Sequence, residues 1–170
     1  GQNGVAVASE DEWYKAAYYD PTLNGGTGGY YDYPTQSDTA PTAEDPPGGS
    51  NSANFNNEVG QPTQVGAYAD SPSYYGTFDQ GGNVGELNDE IITFASDDYR
   101  GLRGGSYFFS SLHLKSSDRD TWQPQLEGGD SIGFRVSLVG STGPSSSAQS
   151  DLISTGDLVL TAGGAITLND

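Results

Sequence analysis

Glycine and proline punctuate this chain so closely that long helices and broad regular sheets are excluded over much of it. Between residues 24 and 52, Gly25-Gly26, Gly28-Gly29, Pro34, Pro41, Pro46-Pro47 and Gly48-Gly49 break every candidate element. Glycine opens backbone conformations closed to other residues, and proline removes an amide donor and fixes φ. The 170 residues include 25 Gly and 9 Pro, and only 33% are hydrophobic, against roughly 45–50% in an ordinary globular chain when glycine is counted. A core must therefore come from the 11 Tyr, 6 Phe and 2 Trp, each able to bury roughly 150–250 Å². The expected product is one loop-rich domain with an aromatic core.

Regular structure is predicted in a few places. Val5-Ala6-Val7-Ala8 reads as a short strand. Ser9-Glu10-Asp11-Glu12 forms a capping box, and its acids suit the helix dipole. Trp13, Ala16 and Ala17, with Tyr14 and Tyr18, give an apolar face at helical spacing until Asp20-Pro21 stops the helix, placing it at 9–19. Short strands are expected at 64–68, 102–109 and 132–138. A Gly/Ser-rich tract at 140–150 reads as a linker. Beyond it, 157–161 and 165–169 flank Gly163-Gly164 as a β-hairpin, with Leu158, Leu160, Ile166 and Leu168 on one face. A lone hairpin is marginal in water and should dock on something.

With 23 acidic and 6 basic residues the formal net charge is -17. Such a surface repels phosphate backbones and anionic membranes, so nucleic-acid partners are disfavoured; hard divalent cations are its natural company. No apolar run approaches the roughly 20 residues that span a bilayer, so membrane insertion is not expected. The absence of Cys excludes disulfides, thiolate metal sites and thiol catalysis. The absence of Met suggests a processed product or a fragment. Low Lys, an acidic surface and no oxidisable sulfur suggest an extracellular or cell-surface location.

Several segments stand in a telling order: Ser9-Glu10-Asp11-Glu12-Trp13-Tyr14-Lys15-Ala16-Ala17; Tyr33-Pro34; Ser52-Ala53-Asn54-Phe55; Val65-Gly66-Ala67-Tyr68; Tyr75-Gly76-Thr77-Phe78-Asp79; Gly82-Asn83-Val84-Gly85-Glu86-Leu87; Leu102-Arg103-Gly104-Gly105-Ser106-Tyr107; Ser116-Ser117-Asp118-Arg119; and Gly133-Phe134-Arg135-Val136. The series, covering residues 5–138, resembles the formylglycine-generating enzyme (sulfatase-modifying factor) superfamily, especially its secreted bacterial members. The resemblance implies an α+β, C-type-lectin-like fold with little regular structure. It divides the chain into a truncated family domain at 1–138, the linker at 139–150 and the C-terminal β-hairpin extension at 151–170. The family domain normally begins well before the capping-box helix, so sheet edges are expected to be left uncovered.

The departures matter as much as the matches. The family's reactive cysteine pair, which binds copper and activates oxygen, falls here on Phe109 and Leu114. Phenyl and isobutyl groups supply neither charge nor a redox centre, and His113 is the only histidine, so no copper and no such oxidation are expected. The family's two Trp positions hold Gly85 and Leu87; Phe94, Tyr99 or Trp122 are candidates to fill the space. The resemblance also implies calcium. One site would use the backbone carbonyls of Asp79, Gly82 and Val84 with the carboxylate of Glu86; a second would involve Asn54 and Phe55 with Asn57 or Glu58. Backbone oxygens with a carboxylate suit a hard cation.

Other constellations have modest readings. Arg103, Arg119 and Arg135 are expected in ion pairs, with ligand contact the alternative. Asp118, Asp120 and Asp130 lack a partner nucleophile. Tyr18-Tyr19, Tyr30-Tyr31 and Tyr74-Tyr75 either anchor loops in the core or stack on sugar rings. The expectation is a non-catalytic structural or adhesive module that assembles with copies of itself, its C-terminal hairpin docking on a neighbour or folding back. The alternative is a receptor for glycan or protein using the loops around 107–130.

Overall fold

The structure, a computed structural model, describes residues 4–122, 129–139 and 159–161. Its strands are β1 (Gly4–Val7), β2 (Tyr19–Asp20), β3 (Gly29–Tyr30), β4 (Thr42–Ala43), β5 (Ser52–Ala53), β6 (Gly85–Phe94), β7 (Asp97–Arg103), β8 (Asp120–Trp122), β9 (Ile132–Val139) and β10 (Val159–Thr161). The main sheet runs β1-β9-β6-β7-β8, with β10 also on β9, and two-stranded pairs β2–β3 and β4–β5 lie outside it. The longest helix among the described residues, α1 (Glu10–Tyr18), packs beside it, with a single turn at Leu23–Gly26 and a 3-10 turn at Ser111–Leu114 elsewhere. The long stretches between are turns and loops, as the glycine and proline pattern requires.

The predicted helix forms with its cap. Ser9 N–H donates to Glu12 at 2.9 Å and Glu12 N–H donates to the Ser9 hydroxyl at 3.2 Å, satisfying two otherwise orphaned amides. Trp13, Ala16, Ala17 and Tyr18 form its buried face. Trp13, Ala17 and Tyr18 join Ala8 in one core cluster, with Tyr14 packed on it. A second cluster holds Tyr33, Ala53, Phe55 and Leu114. The buried Tyr18 bridges them through its hydroxyl, which donates to the Leu114 carbonyl.

Three expectations about elements are corrected. Residues 64–68 are a turn, because Gly66 adopts φ 72° and Ala67 N–H bonds back to Gln64. The strand expected at 102–109 ends at Arg103, where Gly104 and Gly105 take positive φ. No strand was expected at 85–94, where Gly85 begins the ten-residue strand β6, which hairpins onto β7.

That hairpin turns on Ala95 and Ser96, both at positive φ (60° and 125°), a conformation two-residue hairpins ordinarily obtain from Asn-Gly or Gly. Its register shifts between Leu87 and Ile91; this bulge brings Asn88 inward to meet Glu10. Gly101 opposite has no room for a side chain, since a Cβ there would overlap the Asn88 amide. Leu102 fills the space beside Gly85, whereas Phe94 is exposed near the hairpin end.

β1 pairs antiparallel with β9 over Val136–Val139, and β10 pairs antiparallel with β9 at Gly133–Arg135. Residues 140–150 and the second predicted hairpin strand at 165–169 lie outside the described residues.

Candidate functional site

The glycine-rich segment 77–86 is built around a buried carboxylate. Glu86, 1% exposed, is the second residue of β6 and pairs with Gly133 on β9. Arg135 on β9 donates from Nε to Oε2 at 2.6 Å and from Nη2 to Oε1 at 2.7 Å. Trp13 Nε1 adds a third bond, to Oε2 at 2.5 Å, and Arg135 Nη2 also reaches the Phe78 carbonyl at 3.0 Å. The segment is further tied to α1 by Gln80 Nε2, which donates to the Trp13 carbonyl at 3.1 Å. A charge this deep survives only when paired and hydrogen-bonded, and here it is both.

This arrangement gives Glu86 a different task from the one the resemblance implied. Both oxygens face donors, and the negative charge is neutralised by a guanidinium, so Glu86 does not fit as a direct calcium ligand. Asp79 Oδ2 accepts from Gly66 N–H at 2.6 Å. Val84 is buried, and Gly82 donates to the Gly104 carbonyl.

The Asn54 region reads differently. The Asn54 carbonyl accepts from Asn83 N–H at 2.8 Å, and Gly82 lies so close that a Cβ would overlap that carbonyl. The two implied cation segments therefore meet. Asn54 Nδ2 donates to the Gln61 carbonyl at 2.9 Å, but its Oδ1 is buried with no hydrogen-bond partner among the described residues. An orphaned amide oxygen is costly and suits a hard cation. Phe55 sits in the core cluster, and the Asn56 and Asn57 amides donate to the Phe109 and Tyr107 carbonyls, both at 2.7 Å. Among the described residues, no three His, Cys, Asp or Glu side chains converge on one point.

The third region is the segment after Arg103. Leu114 is completely buried. Phe109 lies between Phe108 and His113, with ring centroids 4.4 and 4.7 Å away. Phe108 and Leu112 are exposed, and His113 Nδ1 lies 3.2 Å from Asp118 Oδ2. A narrow crevice beside them, with room for about 10 Å³ of water-sized probe, is lined by Arg103, Phe109, His113, Asp118 and Asp120 among others. Arg103 is held by Glu10 and by the Ser116 and Asp118 carbonyls, while Arg119 meets Glu90. All three arginines are thus tied into the frame, as expected. Asp120 Oδ1 accepts from Thr121 N–H.

A family profile described as the sulfatase-modifying factor enzyme 1-like domain matches residues 4–138. The chain belongs to that family. It is a cysteine-free member: the sequence contains no Cys, so the thiol chemistry of the formylglycine-generating enzymes has no residue to perform it. Among solved structures, "Treponema denticola variable protein 1" superposes with a TM-score of 0.51 at 24% identity, over 80% of this chain and 48% of that one. That likeness supports the α+β, C-type-lectin-like fold, and the chain spans about half the length of that protein. No curated protein matches the chain.

Sequence reasoning found Phe109 and Leu114 through the family spacing. It missed how Glu86 would be used, because its partner Arg135 stands 49 residues away.

Proposed function

We propose that this chain is a non-catalytic extracellular module, structural or adhesive, in which the formylglycine-generating scaffold supports interaction surfaces instead of a reaction. The observation that carries this reading is the fate of the two thiol positions. Leu114 is fully buried between core residues, and Phe109 is packed between Phe108 and His113. Filling a reactive centre with apolar groups removes the nucleophile and leaves an aromatic face. The test is incubation with a cysteine-containing sulfatase peptide, copper and oxygen. No peptide aldehyde should form above background by mass spectrometry; an aldehyde overturns the reading.

Two further features belong to this proposal. Calcium is assigned to the Asn54 region, where the orphaned Oδ1 supports it, and not to Glu86. Thermal melting with calcium and with chelator should differ for the native chain and coincide for Asn54→Ala. Self-assembly is supported by β10, a strand added to the edge of β9, since strand addition works equally between chains. The receptor alternative would use the exposed Phe108 and Leu112 beside the cleft. Loss of binding to a captured glycan or protein in Phe108→Ala would favour it.

A further inference from the structure

The segment that follows β7 presents apolar side chains on a pinned backbone. Phe108 is 45% exposed and Leu112 65%. The rings of Tyr107, Phe108, Phe109 and His113 touch in series, with centroids 5.3, 4.4 and 4.7 Å apart. Leu112 shares the 3-10 turn Ser111–Leu114 with His113, and its place in the chain keeps its Cα within roughly 14 Å of that of Phe108. The Phe109 and Tyr107 carbonyls are held by the Asn56 and Asn57 amides, and Tyr107 N–H donates to the Asn83 carbonyl at 2.9 Å. The fully buried Leu114 closes the segment, its carbonyl accepting from the Tyr18 hydroxyl at 3.1 Å. Exposed apolar groups on a fixed frame lose little freedom on binding, which is what interface anchors require.

The shape of this patch fits a protein surface better than a small ligand or a glycan. The crevice beside Phe109 and His113 has room for only about 10 Å³, whereas ligand pockets begin near roughly 300 Å³. Phe108 stands at 82° to Tyr107 and 42° to Phe109, so adjacent rings share no plane on which successive sugars could lie. Leu112 offers neither a ring face nor a hydroxyl. An exposed apolar patch without a cavity is the form that a protein partner covers.

The surrounding charges set the chemistry of that partner. Asp118 and Asp120 line the crevice beside Phe109 and His113, and the exposed Glu58 follows directly on Asn57. The neighbouring cations are committed within the chain: Arg103 to Glu10, Arg119 to Glu90 and Lys115 to Asp32. We propose that the Phe108–Leu112 patch docks a protein segment whose apolar side chains are flanked by Lys or Arg. This rests on the reading of the chain as a non-catalytic interaction module and gives its receptor alternative a partner class. The apolar contacts supply the hold; the acidic rim attracts basic segments and rejects acidic ones.

A random-peptide phage library is selected on the full chain and counter-selected on the Phe108→Ser/Leu112→Ser double variant. The enriched peptides should combine apolar residues with Lys or Arg. The synthetic consensus peptide, followed by fluorescence anisotropy, should lose about tenfold in affinity with Phe108→Ser and with Leu112→Ser. Asp118→Asn and added salt should weaken it less. Phe94→Ser, which removes an equally exposed ring on the β6–β7 hairpin, should leave binding unchanged, and near-ultraviolet circular dichroism should stay native throughout. The proposal is overturned if no peptide is enriched over the double variant, or if the consensus is acidic. It is overturned too if replacing the apolar residues of the peptide by Ser leaves its affinity intact, since that is general attraction to a net charge of -17. A neutral oligosaccharide that binds through Phe108 where no peptide does would keep the receptor alternative and end the protein partner.

Discussion

Arg135 and Glu86 form a two-point ion pair inside the protein, at 2.6 and 2.7 Å, with Trp13 Nε1 closing on the same carboxylate. Three elements meet there: β9 supplies the cation, β6 the anion and α1 the indole. The pair joins the N-terminal helix to a strand more than a hundred residues later.

Replacing Glu86 with Gln should leave the Arg135 guanidinium buried without its counter-charge. The expected loss is about 3 kcal/mol, the magnitude seen when one partner of a buried pair is removed. The exposed Asp89 serves as control, and Asp89→Asn should change stability by less than about 0.5 kcal/mol. Urea unfolding measures both. The Glu86→Gln deficit should be the same with calcium and with chelator; a deficit that vanishes in chelator would return Glu86 to the role of metal ligand.

Gly82 and Gly76 separate backbone conformation from close approach. Both take positive φ, 80° and 77°, but an added Cβ would overlap the Asn54 carbonyl at Gly82 and meet nothing within 4 Å at Gly76. Gly76→Ala should cost about 1 kcal/mol, the left-handed penalty alone. Gly82→Ala should cost well beyond that, because the Asn83–Asn54 hydrogen bond must also move. Equal costs would show that the Gly82 junction yields easily.

Helix α1 was legible because its signals are local: a capping box within four residues, then an apolar face, then Asp20-Pro21. The strands β1 and β9 were legible as short apolar runs. The β6–β7 hairpin was not, since its turn uses Ala95-Ser96 in conformations usually marked by glycine or asparagine. Residues 64–68 alternate like a strand, yet Gly66 turns the chain. At the site, the family spacing located Phe109 and Leu114, but nothing local says which of six cationic residues will reach Glu86. The tyrosine dipeptides were visible; that Tyr14, Tyr19 and Tyr30 pack together is a property of tertiary structure.

Stability should fall at alkaline pH in a defined window. Burial raises the Tyr68 phenol to about 12, with Asp45, Asp79 and Glu44 adding to it, and burial raises Tyr18 as well. Both phenols titrate higher in the folded state than in the unfolded chain, where the value is about 10. Their contribution is therefore intact below pH about 10 and is lost as pH rises from there through the folded values. Tyr68→Phe should cost about 1 kcal/mol at neutral pH through its lost hydrogen bond to Glu44, and should flatten the alkaline decline. On the acid side, burial alone would raise Glu12, but hydrogen bonds from Ser9 and Ser137 outweigh it and hold its pKa below the ordinary value. Its contribution is present above the usual carboxylate range and lost as pH falls through the folded value. Melting temperature against pH, with Glu12→Gln as comparison, measures this.

Removing residues 151–170 tests the assembly reading. In the structure β10 lies on the edge of β9 at Gly133–Arg135, beside β1 on the same strand. That edge segment carries unpaired backbone donors and acceptors whenever β10 is absent, and such an edge recruits another strand. If β10 is exchanged between copies, the full chain should associate in a concentration-dependent manner, and the shortened chain should remain folded and become monomeric. Light scattering coupled to size exclusion gives the mass, and circular dichroism the fold. Head-to-tail exchange that fails to close would extend into fibres visible by electron microscopy. A full chain that stays monomeric at high concentration, with a shortened chain that merely loses stability, would assign β10 to covering its own domain's edge and end the self-assembly proposal.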